Sequence, residues 1–139
     1  MESYRVERTI GAAPSQVWAV LVDGASWTTW DSGVEKLEGT IAEGQKVKVY
    51  SAASPGRAFP VKVALDPMGH TMTWTGGMPF GLFKGVRTFT LTSAGDGTRF
   101  VMEEVFSGPL VGMIWKRMPD LTASFEQFAD GLKARAEKG

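Results

Sequence analysis

The sequence predicts an α+β architecture. A curved antiparallel sheet of six to seven strands wraps around a long C-terminal helix, and two short helices follow the first strand. Two observations carry this. The segment Gly85–Phe106, GVRTFTLTSAGDGTRFVMEEVF, alternates apolar and polar residues on either side of a turn. It runs directly into Pro109 to about Ala136, PLVGMIWKRMPDLTASFEQFADGLKARA, which carries one apolar stripe. A sheet with an apolar face and a helix with an apolar stripe must bury the two against each other. Such a grip can leave a cavity between sheet and helix, so the expected function is to hold something apolar there.

The elements follow in order. Tyr4–Ile10 alternates, with Tyr4, Val6 and Arg8 on one face and Arg5, Glu7 and Thr9 on the other, and reads as a strand. Gly11–Ser15 breaks it. Pro14 suits a first helical turn, where its missing N–H is harmless. Val17, Trp18, Leu21 and Val22 then recur at helical spacing up to Asp23-Gly24. Ala25–Asp31 is a short helix or turn holding Trp27 and Trp30.

Strands are predicted at Val34–Glu38, Lys46–Ala52, Phe59–Leu65 and Thr71–Thr75, separated by Gly- and Pro-containing turns. The long hairpin and the helix complete the chain. Pro119 interrupts the helix, removing one hydrogen bond and clashing with an earlier carbonyl. A kink or break is therefore expected near Arg117–Asp120. Its stripe is Leu110, Ile114, Met118, Leu121, Phe125, Phe128 and Leu132.

Composition sets the outer bounds. The chain has 139 residues, most simply one domain spanning 1–139. That length buries roughly two-thirds of the unfolded surface. Fifteen basic and fifteen acidic residues cancel, which argues against a nucleic-acid partner. The basic clusters Lys46–Lys48 and Lys133–Lys138 are interrupted and read as solvated faces. There is no cysteine, hence no disulfide, thiolate metal site or Cys nucleophile. The opening MESYRVERTI has no apolar signal core, and no stretch is long enough to span a bilayer. A cytoplasmic location is the resulting expectation.

Several strings together resemble one superfamily. IGAAPSQVWAVLVD is similar to the strand, Ala-Pro and amphipathic helix that open the START/Bet v 1-like (SRPBCC) superfamily. SWTTWDSGVEKLEG resembles its aromatic turn and second strand, and GDGTRFVMEEVFSGPL its last hairpin and entry to the closing helix. The nearest flavour is the polyketide cyclase/dehydrase-like branch. The resemblance covers essentially the whole chain. It implies a helix-grip fold with a cavity between the concave face and the C-terminal helix, and it supplies no catalytic motif, so no catalytic residue is assigned. The fold hosts carriers, receptors, cyclases and co-chaperones alike.

The hairpin register locates the candidate site. If Ala94-Gly95-Asp96-Gly97 forms a four-residue loop, Ser93 pairs with Thr98, Leu91 with Phe100, Phe89 with Met102, and Arg87 with Glu104. Directly opposed residues share a face. Leu91, Phe100, Phe89, Met102 and Phe106 then face inward, with Arg87 and Glu104 at the far end. A register-fixing ion pair and an anchor for a ligand carboxylate or phosphate both fit Arg87. A slip of one residue would turn every side chain over. Glu104 is the best carboxylate for proton transfer, but Arg87 beside it favours the ionised form.

The remaining expected cavity lining is Met72 and Trp74 from the fourth of these sheet segments, and Ile114 and Met118 from the helix's first half, which a kink at Pro119 would let swing as a lid. Methionines suit an adaptable lining, although plain core packing is the better account of any single one. The segment GGMPFGLFKG places Met78, Phe80, Leu82 and Phe83 in a Gly-rich loop, either folded over the core or forming a lip at the cavity mouth that contacts a membrane or partner. It lacks the features of a phosphate loop.

Other residues read blandly. His70, the sole histidine, sits at a loop edge, and with one His and no Cys no transition-metal site is expected. Asp31 reads as a cap or turn residue. Ser26, Ser51 and Ser107 have no nucleophile context. No cofactor is expected. The partner expected is a hydrophobic small molecule, with a homodimer left open. Three functions stay in view: a carrier or sensor of such a molecule; a cyclase or dehydratase using Glu104 with Tyr50 or His70; and a co-chaperone-like interaction module with a filled interior.

Overall fold

A computed structural model describes residues 2–138. Its strands are β1 (Glu2–Ile10), β2 (Val34–Glu38), β3 (Lys46–Ser51), β4 (Ala58–Asp66), β5 (Thr71–Gly77), β6 (Lys84–Ala94) and β7 (Gly97–Ser107). Its helices are α1 (Pro14–Val22), α2 (Val111–Trp115) and α3 (Thr122–Glu137), with 3-10 turns at Gly24–Thr29 and Pro79–Gly81. The strands form one antiparallel sheet in the order β1-β7-β6-β5-β4-β3-β2. Every sequential neighbour from β2 to β7 is a hairpin partner. Only β1 crosses over, and α1 with the first 3-10 turn carries the chain from its edge to the other. The sheet curls into a half-barrel closed by α3, the helix-grip arrangement expected.

Local chemistry sets the element ends. Pro14 opens α1, and because Ala13 has no capping hydroxyl, the Gln16 side chain turns back to accept the Ala13 N–H at 3.2 Å. The Asp120 carboxylate accepts the Thr122 N–H at 2.9 Å where α3 begins. The β6–β7 register is as expected, with Arg87 opposite Glu104 and Phe89 opposite Met102. The loop is tighter than expected: Ala94 pairs with Gly97, leaving two turn residues. Gly95 takes the φ of +60° that the first position of such a turn requires, so the ladder gains a pair without changing register.

The expected continuous run from Pro109 to Ala136 is divided. The Pro119 region breaks it outright, with non-helical backbone between α2 and α3. Pro119 offers no N–H, and its ring pushes Met118 away from helical angles. The apolar stripe is buried only beyond the break, at Phe125, Phe128 and Leu132.

The core is aromatic. Trp27 contacts Phe128 at 4.9 Å, Trp74 at 5.2 Å and Phe89 at 6.4 Å between ring centroids. Buried polar groups inside it are mostly bonded: Trp27 Nε1 donates to Leu21 O at 3.1 Å, the Ser32 hydroxyl to Trp27 O at 2.6 Å, and the Thr98 hydroxyl to Ala12 O at 2.6 Å. Two indoles are exceptions. Trp30 Nε1 and Trp74 Nε1 are buried without a hydrogen-bond partner among the described residues.

Polar latches hold α3 to the β1 edge. Arg8 donates to Asp130 at 2.7 Å. Lys133 donates to the Thr9 carbonyl and to Glu137, each at 2.7 Å, and Glu137 accepts the Gly11 N–H at 2.7 Å. On its other flank α3 nearly touches the aromatic turn: a Cβ at Gly131 would lie 1.9 Å from Asp31 O. Only glycine permits that approach.

Candidate functional site

The alternation of β6 and β7 brings Arg87 and Glu104 to the inner face, at the end of the sheet where β7 leads into α2. Arg87 Nε lies 2.9 Å and an Nη 2.7 Å from the same oxygen, Glu104 Oε1. Their side chains are 26% and 15% exposed, so the pair is shielded but reached by water. The guanidinium also lies 4.7 Å from the centroid of the Phe125 ring on α3, a cation–π contact. Glu104 Oε2 sits over Gly85, where a Cβ would come within 2.9 Å of it. Because both Arg87 bonds converge on Oε1, Oε2 and the second Nη make no hydrogen bond among the described residues.

An aromatic wall surrounds the pair. Tyr4 on β1 lies 5.1 Å from Trp115, 5.5 Å from Phe125 and 6.3 Å from Phe106. Phe106 contacts Trp115 at 5.6 Å and stacks on Phe83 at 5.7 Å. The short helix α2 thus meets the sheet through Trp115, while Ile114, Met118 and Leu121 stay half-buried and Met113 is exposed.

The other residues expected to line a cavity lie deeper. Met72, Trp74, Phe89, Phe100 and Met102 are at most 3% exposed and pack on one another and on α3, with Trp74 and Phe89 at 5.1 Å. Phe106 is 4% exposed. In this arrangement the deep half of the grip is filled by side chains, and an opening would have to come from the α2 end.

The Gly-rich loop divides as well. Phe83 turns inward onto Phe106, whereas Met78, Phe80 and Leu82 point outward. Its backbone is braced, with Met78 N–H donating to Phe83 O at 2.8 Å and Leu110 N–H to Leu82 O at 3.0 Å.

The groups expected to work with Glu104 in proton transfer lie apart from it. Tyr50 donates its hydroxyl to Glu38 at 2.6 Å on the β2–β3 surface, and that carboxylate pushes the phenol's pKa up. His70 lies in the β4–β5 turn, its ring 5.6 Å from Trp18. Asp31 accepts from the Gln127 side chain at 2.7 Å, tying the aromatic turn to α3. Among the described residues no three His, Cys, Asp or Glu side chains gather as a metal site would need.

Two surface depressions lie away from this end. One, of about 610 Å³, runs between the aromatic turn and the last turns of α3, lined by Trp30, Asp31, Gly131 and Arg135 among others. The other, of about 270 Å³, lies against β2 and β3 near Gly39 and Pro60. Sequence reasoning did not find the first. Its signal is Gly131, a glycine inside a helix whose neighbours are good helix formers, which marks a close backbone approach.

A curled antiparallel sheet closed by a C-terminal helix, with aromatic residues between them, is the START/Bet v 1-like helix-grip fold. The chain belongs to the family described as polyketide cyclase / dehydrase and lipid transport, whose model matches residues 1–137. Similar solved structures include the Zhui aromatase/cyclase from Streptomyces sp. R1128, with TM-score 0.77 and 15% identity over 99% of this chain and 94% of that one. TTHA0849 from Thermus thermophilus matches with TM-score 0.73 and 21% identity over 97% of both chains. A START superfamily protein from Mycobacterium smegmatis matches with TM-score 0.68 and 13% identity over 98% of this chain and 97% of that one. At such identities the likeness establishes the fold. No curated protein matches the sequence. Family membership supports a hydrophobic ligand-binding or cyclase role. No helix among the described residues is long and apolar enough to cross a membrane.

Proposed function

We propose that the chain carries or senses a hydrophobic small molecule or lipid, bound between the concave face and α2, with Arg87 holding an acidic or strongly polar head group. The observation that carries this is the Arg87–Glu104 pair. It is shielded, walled by Tyr4, Trp115 and Phe125, and leaves one Nη and one carboxylate oxygen without a partner among the described residues. A polar anchor beside aromatic surface is how apolar sites orient a ligand. The break at Pro119 frees α2 from α3, so the half-buried Ile114 and Met118 can lift without unfolding the core.

Native mass spectrometry on protein purified from cells, beside a denatured control, tests it. A non-covalent mass released on denaturation, and weakened by Arg87→Ala, is expected. A clean apo mass for the wild type would sink the carrier reading.

One observation favours a second reading. The filled deep half, at Met72, Trp74, Phe89, Phe100 and Met102, suits an interaction module that binds through its surface, and that reading would follow from a clean apo mass together with capture of a specific partner. The enzyme reading is weaker, because neither Tyr50 nor His70 stands beside Glu104.

A further inference from the structure

We infer that the end of the molecule formed by the Met78–Phe83 loop and α2 docks on an anionic lipid bilayer. Six large hydrophobic residues are exposed among the described residues, and five of them, Phe59, Met78, Phe80, Leu82 and Met113, lie at this end. The sixth, Met68, is in the β4–β5 turn at the opposite end. The Leu110–Leu82 backbone bond joins the loop to the entry of α2, so those two parts of the patch adjoin. Contiguous exposed apolar surface marks an interaction site.

Phe80 is the sharpest feature. The residue is 98% exposed, and its backbone sits at φ +61°, a left-handed value that is uncommon for a bulky residue. The loop accepts that strain while giving the ring nothing to pack on.

Charge selects the partner. The segments 77–84 and 108–119 contain Lys84, Lys116 and Arg117 and no acidic residue. Arg57 joins them, lying 6.0 Å from the Phe59 ring. Acids near this end include Glu2 and Glu35 on the two edge strands, Glu103 on the outer face of β7, Glu104, which is paired with Arg87, and Asp120, occupied at the start of α3. At the opposite end the connections 39–45, 66–70 and 94–97 carry Glu43, Asp66 and Asp96, next to cations at Lys46 and, in the last turns of α3, Lys133, Arg135 and Lys138. Although the net charge is zero, Arg57, Lys84, Lys116 and Arg117 thus gather around the apolar patch. Such a patch suits a negative surface, where cations meet head groups and apolar side chains enter the interface. The inference does not depend on what the interior holds.

Co-sedimentation with vesicles tests it, comparing phosphatidylcholine alone with phosphatidylcholine mixed with phosphatidylserine. Binding to the mixed vesicles only is expected, weakening as salt is raised. Lys84→Glu, Lys116→Glu and Arg117→Glu combined should weaken it on the order of a hundredfold. Phe80→Ser should weaken it about tenfold, and Met68→Ser at the other end should leave it unchanged. All four side chains replaced in the first two variants are exposed, and circular dichroism verifies the fold of each. Absence of binding to mixed vesicles, equal binding to both vesicle types, or wild-type binding by Phe80→Ser would overturn the inference. So would concentration-dependent dimerisation through this patch, which Phe80→Ser abolished.

Discussion

Arg87 and Glu104 face each other across β6 and β7, and both Arg87 contacts end on Glu104 Oε1. The arrangement is asymmetric: a guanidinium fork could engage both carboxylate oxygens but engages one. The pair therefore fixes the hairpin locally, with both contacts on one carboxylate oxygen only. Replacing one partner leaves the other charge shielded and unpaired. Glu104→Ala should destabilise by about 1–3 kcal/mol in urea titration. The double variant Arg87→Ala/Glu104→Ala should lose clearly less than the two single losses added together. Strict additivity would show that the two groups do not interact.

Trp27 and Trp74 stack at 5.2 Å, yet among the described residues only Trp27 finds a partner for its N–H. Both are almost fully buried. Trp27→Phe removes a hydrogen bond and leaves Leu21 O unpaired, whereas Trp74→Phe removes an orphan donor. The Trp27 variant should therefore be the less stable by about 1 kcal/mol or more. Equal losses would indicate that Trp74 Nε1 meets a partner in solution.

Gly131→Ala tests the approach of α3 to the aromatic turn. Helix propensity alone would favour alanine by about 1 kcal/mol. The new Cβ, however, meets backbone at Asp31 O, which cannot swing aside as a side chain would. The net effect should be destabilising by about 1–3 kcal/mol. A stabilised variant would mean that the gap is wider than described.

Acid should loosen α3 from β1. Arg8 first, and then Lys133, holds the Asp130 carboxyl below its ordinary value, while Lys133 and then the Gly11 N–H do so for Glu137. Glu7 on the same strand is lowered to about 2, chiefly by its hydrogen bond from Arg99. Carboxylates with depressed folded-state values contribute stability that is full above their unfolded values and lost as pH falls through the folded ones. The midpoint of urea unfolding should hold near neutral pH, begin to fall below about 4.5, and go on falling towards about 2. Asp130→Asn should flatten part of that slope. The individual effects are small because these groups are exposed.

Much of the fold was legible from periodicity. Alternation in β1, β4 and the β6–β7 hairpin placed the right residues on the concave face, because side chains in a strand can point only two ways. The hairpin register followed from centring a four-residue loop on Ala94-Gly95-Asp96-Gly97, although the ladder closes one pair further than expected. Pro119 announced the break, and the structure turned it into a complete separation of α2 from α3. Of the site, the opposition of Arg87 and Glu104 was legible for the same reason. The roles of Phe125, Tyr4 and Trp115 around them were not, since these come from three distant segments.

Local sequence determined which faces are apolar, where elements begin and end, and which residues sit across the hairpin, since those depend on neighbours along the chain and on fixed strand geometry. Only the tertiary structure decided how far sheet and helix stand apart. Strand alternation says that Met72, Trp74, Phe89 and Met102 face inward, but not that Trp27 and Phe128 arrive to fill the space between them. That depends on the latches Arg8–Asp130 and Lys133–Thr9 and on the close approach at Gly131. These contacts join residues far apart in the chain, and packing at that range is set by the whole fold rather than by any segment's own preference.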